Sequence, residues 1–464
     1  MQNTPLNRLA PQIDPGINAV STASNDTTTG PVPAAADARS AAVIALQKIL
    51  GEGETVERSL DSSPGYRALP TRERAFARLL LLTSLRRLGE INAVIDRFMK
   101  QPLRPRLAGA RHVMQIGACQ LLFLDTPAHA AVSTAVDQVA SDRVLRPLKG
   151  LVNAVLRRIS EGRTSLLEDL DTDRINMPDW LWHRLCPVYG EITVRAISAA
   201  NRREPVLDLT LKSPADKQEW ANRLGAACLT SGSLRLEKAG RVEELPGFAD
   251  GAWWVQDAAS ALPARLLGDV TDCLVIDLCA APGGKSAQLI AAGARVTAVE
   301  RSAGRTRRLR ENLRRLSLDA KIVKADAATW RPKILADAVL LDAPCSATGT
   351  MRRHPEVPWT RQAEDIERLN KQQDELLDAA CAMVKPGGRV VYTVCSLDPS
   401  EGEERVSALL ARHPDMAREA VNAAALGAPA EAATADGDLR TLPCYWADTG
   451  GLDGFYAACL RRSS

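Results

Sequence analysis

The sequence predicts a multidomain chain: an all-α helical bundle, a small α+β connector, then an α/β domain with a Rossmann-like, doubly wound sheet. Three observations carry this. Apolar residues recur at helical spacing almost without a break from Asp37 to Arg158. Strand and helix patterns then alternate from about residue 256 onward, and such alternation builds a parallel sheet covered by helices. Between these regions, short helical and strand runs are mixed. With 464 residues and 45% hydrophobic composition the chain can fill several cores. The expected boundaries are a disordered tail over 1–37, the bundle over 38–165, the connector over 166–255 and the α/β domain over 256–464.

In the tail, "STASNDTTTGPVPAAAD" is polar, small and Pro-bearing, with little to bury. Asp37 is placed to cap the helical run "ARSAAVIALQKIL". Breaks at "GEGE", "SSPG", "QPLRP", "DTPAH" and "LRPLKG" divide the bundle into about six helices. Leu79, Leu82 and Leu85–Leu88 mark one inward face, and Val113, Ile116 and Leu121 another. The connector offers two helices, the strand "PVLDLTLK", the helix "KQEWANRLGA" and strand-and-turn material to Asp257. Strands follow at 273–279, 294–300, 320–326, 336–344 and 388–396, with helices at 286–293 and 305–316. Leu309, Leu313 and Leu316 face the second of these helices inward. A final strand at 454–462 comes after an Ala-rich insert at 420–437.

No apolar run reaches membrane-spanning length, and the N-terminus lacks the charged-then-apolar pattern of a secretory signal. Ten cysteines without a C-x-x-C pair, and five scattered histidines, argue against a structural metal site and for a reducing cytosol. The net charge of +3 is unevenly spread: Arg72 to Arg158 holds fifteen Lys/Arg against six Asp/Glu. A surplus of that kind suits a polyanion, and equally suits a solvated helical face.

The chemistry sits where strands end. "DLCAAPGGKSAQL" turns the first strand of the α/β domain into its first helix, with Gly283 and Gly284 allowing close backbone approach to a ligand. It is neither a G-x-G-x-x-G fingerprint nor a Walker loop. Asp277, Glu300, Asp326 and Asp342 end four strands along one edge. Singly each could cap a helix; together, beside a Gly-Gly turn, they favour a nucleoside ligand with a cationic end, such as S-adenosyl-L-methionine. "LLDAPCSATGTMRRHPEV" and "VVYTVCSLDPSEGEE" each place a thiol, Cys345 and Cys395, at a strand-to-loop junction.

"DLCAAPGGKS", "LLDAPCSATG" and "YTVCSLDPSEGE" resemble three motifs of the NOL/NOP/Sun family of RNA cytosine-C5 methyltransferases. "VQDAAS" (255–260) and "LDGFYAACL" (452–460) resemble its flanking signatures, and 39–158 resembles the NusB-like RNA-binding domain. The resemblance implies a NusB-like bundle joined to a class I methyltransferase domain. It implies S-adenosyl-L-methionine as cofactor and 16S rRNA as substrate, free or within a small-subunit assembly intermediate, methylated in the cytoplasm by a monomer without membrane partners. By position, Cys279, Ala280, Ala281, Pro282, Gly283, Gly284 and Lys285 would wrap the cofactor. Glu300 would hold its ribose, Asp326 its adenine, and Arg305 would lie near it. Asp342 would stand between cofactor and base, Cys395 would be the nucleophile and Cys345 the base-releasing thiol. Val394, Gly402 and the stretch "LTLK" (209–212) depart from the family pattern.

The chemistry explains why two thiols would be useful. Cytosine C5 is a poor nucleophile until a thiolate adds to C6, and the adduct then needs a base to lose its C5 proton. Lys285 would lower a neighbouring thiol's pKa, or else form an ion pair or meet a phosphate. Arg352, Arg353 and His354 are expected in an open loop, against RNA or solvent. The two thiols are expected to meet a flipped base from opposite sides. Competing readings are the same chemistry on tRNA or another RNA, a DNA methyltransferase, a cysteine hydrolase, and a non-catalytic NusB-like antitermination factor.

Overall fold

The computed structural model describes residues 37–464; the expected tail falls, but for its last residue, outside them. The first helix, Ala38–Glu52, starts at Asp37, whose carboxylate accepts from Ser40 N at 2.8 Å. Helices Val56–Asp61, Pro64–Ala68, Thr71–Arg86, Leu88–Asp96, Ala108–Phe123, Ala128–Ser141 and Lys149–Glu161 follow, around a core that includes Leu46, Ile49, Ile91, Met114 and Leu156. The two short helices were not expected: Thr55 and Ser63, as side-chain caps, start them at the breaks "GEGE" and "SSPG".

One face was misjudged from the sequence. Leu79 is exposed and Leu82 only half-buried, whereas Ala77, Leu80, Leu81, Ser84 and Leu85 are buried. Four consecutive leucines, 79–82, offer every helical phase; the small residues Ala77 and Ser84, where neighbouring helices come close, decide which phase faces in.

Helices Asp179–Tyr189 and Glu191–Asn201 lead into a four-stranded antiparallel sheet. Its strands are β1 (Leu207–Leu211), β2 (Ala227–Cys228), β3 (Leu234–Leu236) and β4 (Trp253–Val255), in the order β2-β3-β1-β4. Asp208, just ahead of the stretch 209–212 that departs from the family pattern, is buried on β1 with both oxygens 2.7 Å from the Arg235 guanidinium on β3.

The large sheet holds β5 (Leu274–Leu278), β6 (Arg295–Glu300), β7 (Lys321–Lys324), β8 (Ala336–Asp342), β9 (Val384–Val394), β10 (Met416–Glu419), β11 (Leu439–Arg440) and β12 (Tyr456–Arg462). Its order is β10-β12-β9-β8-β5-β6-β7, with β11 paired to β12. The strands from β5 to β9 are parallel, but β12 runs antiparallel to β9 and β10, so the sheet is mixed rather than wholly parallel. The chain grows outward from β5 in one direction and restarts at β8 in the other. A ligand crevice opens at that reversal, beyond the carboxyl ends of β5 and β8. The Ala-rich insert is no loose loop: Ala423, Leu426 and Ala432 pack with Leu262, Leu439 and Ala457. No described helix is long and apolar enough to cross a membrane.

Candidate active site

The loop leaving β5 is shaped by backbone demands. Cys279 takes a left-handed conformation (φ 60°), as does Gly283 (φ 107°), where a Cβ would lie 2.5 Å from Leu309 Cδ1. Three bonds hold the loop down: Ala280 N to Val299 O (3.1 Å), Asn312 Nδ2 to Pro282 O (2.9 Å) and Arg305 Nη2 to Ala281 O (2.5 Å). A helix begins at Gly284 without a side-chain cap, leaving its first N–H groups to a ligand.

A cavity of about 340 Å³ opens beside this loop. Ala280, Pro282, Gly283, Gly284, Lys285 and Asp342 line it, with Asp277 at its floor. Cys279, Ala281, Glu300, Arg305 and Asp326 do not line it. Cys279 packs against the core, and burial pushes its thiol up to about 12. Asp326 is exposed, with one oxygen accepting from Ala328 N and the other 3.6 Å from Arg301. Glu300 is buried at the end of β6: one oxygen accepts from Ser302 N at 2.8 Å, and the other has no hydrogen-bond partner, with Arg305 at 3.5 Å. Asp277 is also buried, holding Ser286 Oγ at 2.5 Å with one oxygen and nothing with the other. Burial pushes its carboxyl up to about 7. Orphaned carboxylate oxygens at the ends of β5 and β6 fit a ligand that brings hydroxyl and ammonium donors, as S-adenosylmethionine does. Trp254, Gln256, Ser260 and Asn312 also line the cavity. Sequence reasoning did not single them out, although "VQDAAS" contained two of them.

Lys285 forms an ion pair in the fold. Its Nζ lies 2.8 Å from Asp342 Oδ2, 3.4 Å from Ser260 Oγ and 5.2 Å from the centre of the Phe455 ring.

The registers of β8 and β9, with Asp342 opposite Thr393, carry the two Cys-Ser junctions to one place. Cys345 Sγ and Cys395 Sγ are 3.4 Å apart. The hydrogen bond with Cys395, reinforced by burial, raises Cys345 well above an ordinary thiol, and either sulfur can be the donor across the contact. The contact overturns the expectation of thiols on opposite sides of a base. A flat ring needs roughly 3.5 Å of clearance on each face, and the gap between these sulfurs is 3.4 Å in total. The thiols therefore present one front. Around them Ser346, Thr348 and Ser396 join hydroxyls at 3.2–3.3 Å, and Gly349 N donates to Cys395 O at 2.9 Å.

The loop after Cys345 also differs from expectation. Arg352 is 1% exposed and Arg353 mostly buried, and both pair with Asp257 and Asp453, at 3.3 and 3.4 Å for Arg352 and 2.6 and 3.0 Å for Arg353. They weld the loop to the segment after β4 and the lead into β12, and their guanidinium groups are committed there rather than to RNA. His354 lies 3.7 Å from Glu356, which accepts from Val56 N of the helical bundle at 3.3 Å. Among the described residues Glu57, His354 and Glu356 bring ligand atoms within 4.8 Å of one another, and Glu57 is also 3.2 Å from Arg78.

The comparisons agree with this geometry. The model of the 16S rRNA methyltransferase RsmB/F family matches residues 264–461, and the NusB family model matches 36–161. Ribosomal RNA small subunit methyltransferase B of Salmonella typhi is 34% identical over 394 residues, covering 82% of this chain and 91% of that protein. The Salmonella arizonae protein of the same name gives the same figures. Among solved structures, PH0851 superposes with a TM-score of 0.73 at 23% identity, over 92% of this chain and 98% of that one. NSun6 from Pyrococcus horikoshii gives 0.51 at 21% identity, over 62% of this chain and 98% of that one. These two likenesses bear on the fold. The strand-end crevice, its orphaned carboxylates and the sequence relatives lead to one conclusion: the chain belongs to the ribosomal RNA small subunit methyltransferase B family, whose members use S-adenosylmethionine.

Proposed function

We propose that the protein methylates C5 of a cytosine in 16S rRNA, with Cys395 as nucleophile and Cys345 as the thiol that completes release. The observation that carries this is the contact of two strand-end thiols beside the Asp342–Lys285 pair and the cofactor cavity. S-adenosylmethionine supplies an electrophilic methyl group; the chain's residues do the rest. The loop Ala280–Lys285 would cradle the cofactor, Asp277 would offer it an unpaired carboxylate oxygen from the cavity wall and Glu300 one from the end of β6, while Arg305 holds the loop through Ala281 O. Asp326, on the exposed side of β7's end, is assigned the adenine rim, and the cavity about the Gly-Gly turn the remainder.

Cys395 gives its thiol proton to water, its Sγ bonds to C6 of a base flipped out of the RNA, and the C5–C6 double-bond pair moves to C5, which becomes nucleophilic. Lys285 anchors Asp342 through one oxygen, leaving the other to share a proton with N3 and offset the charge that develops on the ring. After methyl transfer the C5 proton passes to the Cys345 sulfur, the C5–C6 double bond re-forms, and the Cys395–C6 bond breaks. The positive surplus of the helical bundle suits the phosphates of the substrate.

Two measurements test the reading. Bisulfite mapping of rRNA from a strain lacking the gene should show the loss of one small-subunit 5-methylcytosine; an unchanged map rejects the substrate. Cys395→Ala should abolish methyl transfer, and Cys345→Ala should accumulate a covalent RNA–protein adduct visible on denaturing gels. An adduct formed by the Cys395 variant would reverse the two roles.

A further inference from the structure

We infer that Glu401 is a positioning residue that hangs the Cys345 loop on the Cys395 strand and keeps the thiol pair's proton on Cys345; this rests on the cytosine-C5 reading. Glu401 ends the turn Pro399–Glu401, six residues past Cys395, and is fully buried. One carboxylate oxygen accepts from Ser346 N at 2.9 Å and Gln373 Nε2 at 3.0 Å, and the other from Ser346 Oγ at 2.5 Å. Gln373 donates as well to Pro344 O at 2.9 Å. The residues on either side of Cys345 are thus both suspended from one carboxylate, Ser346 directly and Pro344 through Gln373. The turn itself is pinned to β9 by Tyr392 OH, which donates to Glu401 O at 2.5 Å. Ser346 Oγ then touches Ser396 Oγ at 3.2 Å, so the second Cys-Ser junction hangs from the same point.

The charge of this group is not what a simple weld requires. A neutral amide can accept hydrogen bonds without the desolvation cost of a buried anion. The nearby cations are committed elsewhere, Arg184 to Asp398 at 2.5 Å and Arg405 to Asp374 at 2.6 Å. Burial raises the Glu401 carboxyl and its hydrogen-bond donors offset part of that rise; with no cation bonded to it, ionised Glu401 sets a negative charge behind Cys345, where a second negative charge is disfavoured. The groups facing Cys345 are the Cys395 thiol, Glu401 and the phenol of Tyr392, with Arg405 beyond the phenol and Asp342 at the foot of the loop, tied to Lys285. While Cys395 attacks, the proton rests on Cys345. Once Cys395 sulfur is bonded to carbon it no longer accepts that hydrogen bond, and Cys345 loses its proton to water before it takes the one from C5.

The test compares Glu401→Gln, Glu401→Asp and Glu401→Ala in the full chain. The first readout needs no RNA: iodoacetamide labelling of Cys345 across a pH series, read by peptide mass spectrometry. Removing the charge in Glu401→Gln should move the labelling midpoint of Cys345 about one pH unit toward acid, while Glu401→Asp, which keeps the charge, should leave it near wild type. The second readout is decay of the RNA–protein adduct in single turnover. Its pH profile should shift the same way in Glu401→Gln, and Glu401→Ala should accumulate adduct as Cys345→Ala does. A Glu401→Gln protein that binds S-adenosylmethionine normally but labels at the wild-type midpoint overturns the electrostatic role. Wild-type adduct decay in Glu401→Ala overturns the positioning role. A shifted labelling midpoint in a protein that forms no adduct with 16S rRNA, even as Cys345→Ala, leaves the hold on Cys345 standing and removes the reaction reading instead.

Discussion

Asp277 is the residue at which stability and ligand binding oppose each other most clearly. Buried at the end of β5 with one oxygen unpaired, it has a carboxyl raised to about 7 from an ordinary value near 3.8. The folded state therefore binds a proton more tightly than the unfolded one. Stability from this residue is complete below about pH 4 and is lost as the pH rises through about 7, at about 1.4 kcal/mol for each unit of the shift. Asp277→Asn keeps an acceptor for Ser286 and cannot ionise. Its melting temperature without ligand should gain on wild type from pH 5 to pH 8, and its affinity for S-adenosylmethionine should fall. A constant difference in melting temperature across that range would mean that the Asp277 carboxyl is not raised in the fold and is already ionised there at pH 5. The importance of this position was legible in the sequence, because a carboxylate beside a Gly-Gly turn is a local pattern. The roles of Arg352 and Arg353 were not, because their partners Asp257 and Asp453 lie about a hundred residues away and nothing local distinguishes a buried arginine from a solvated one.

Where the elements meet, the site depends on two glycines crossing. Gly349 N donates to Cys395 O, and Gly349 O accepts from Gly454 N at 2.7 Å just ahead of β12. A Cβ on Gly349 would fall 1.8 Å from Gly454 O and 2.6 Å from its carbonyl carbon, all backbone that cannot swing aside. Gly349→Ala should therefore separate the Cys345 loop from β12 and shift the Cys395 junction. The expected cost is about 1–3 kcal/mol in urea unfolding, with methyl transfer reduced far more than S-adenosylmethionine binding. Equal losses in both would place the damage in the cofactor loop instead. Strand order was legible to the extent that β-α alternation and apolar runs dictate it. Which thiol lies how far from which was not, since the 3.4 Å contact depends on the register of β8 on β9 and on this glycine crossing. The phase of helix Thr71–Arg86 failed for a related reason, because a run of leucines carries no phase of its own until neighbouring helices select one.

Across the whole molecule, the loop 350–359 ties the helical bundle to the α/β domain. It leaves Cys345, is welded by Arg352 and Arg353 to the α/β domain, and ends with Trp359 packed on the core of the helical bundle. Trp359 Nε1 donates to Leu85 O at 3.0 Å, and Arg86 Nη2 donates to Arg352 O at 3.2 Å. A bundle with a cationic surplus is thus tied to the loop that follows Cys345, and on the proposed function RNA held on the bundle would be presented in register to the thiols. Truncating a large aromatic at such a junction costs about 3–5 kcal/mol when it is fully buried, and less for half-buried Trp359. Trp359→Ala removes that packing and one hydrogen bond without touching the cofactor cavity. Calorimetry should then show two melting transitions where wild type is expected to show one, with S-adenosylmethionine raising only the transition of the α/β part. The affinity for S-adenosylmethionine should stay within about twofold of wild type, while kcat/KM for 16S rRNA falls by about tenfold or more, a loss of about 1.4 kcal/mol in transition-state stabilisation. A single unchanged transition with wild-type kcat/KM would show that the bundle recruits RNA without positioning it. A split transition with unchanged kcat/KM would show that the tie holds the fold together but does not set the register of the substrate.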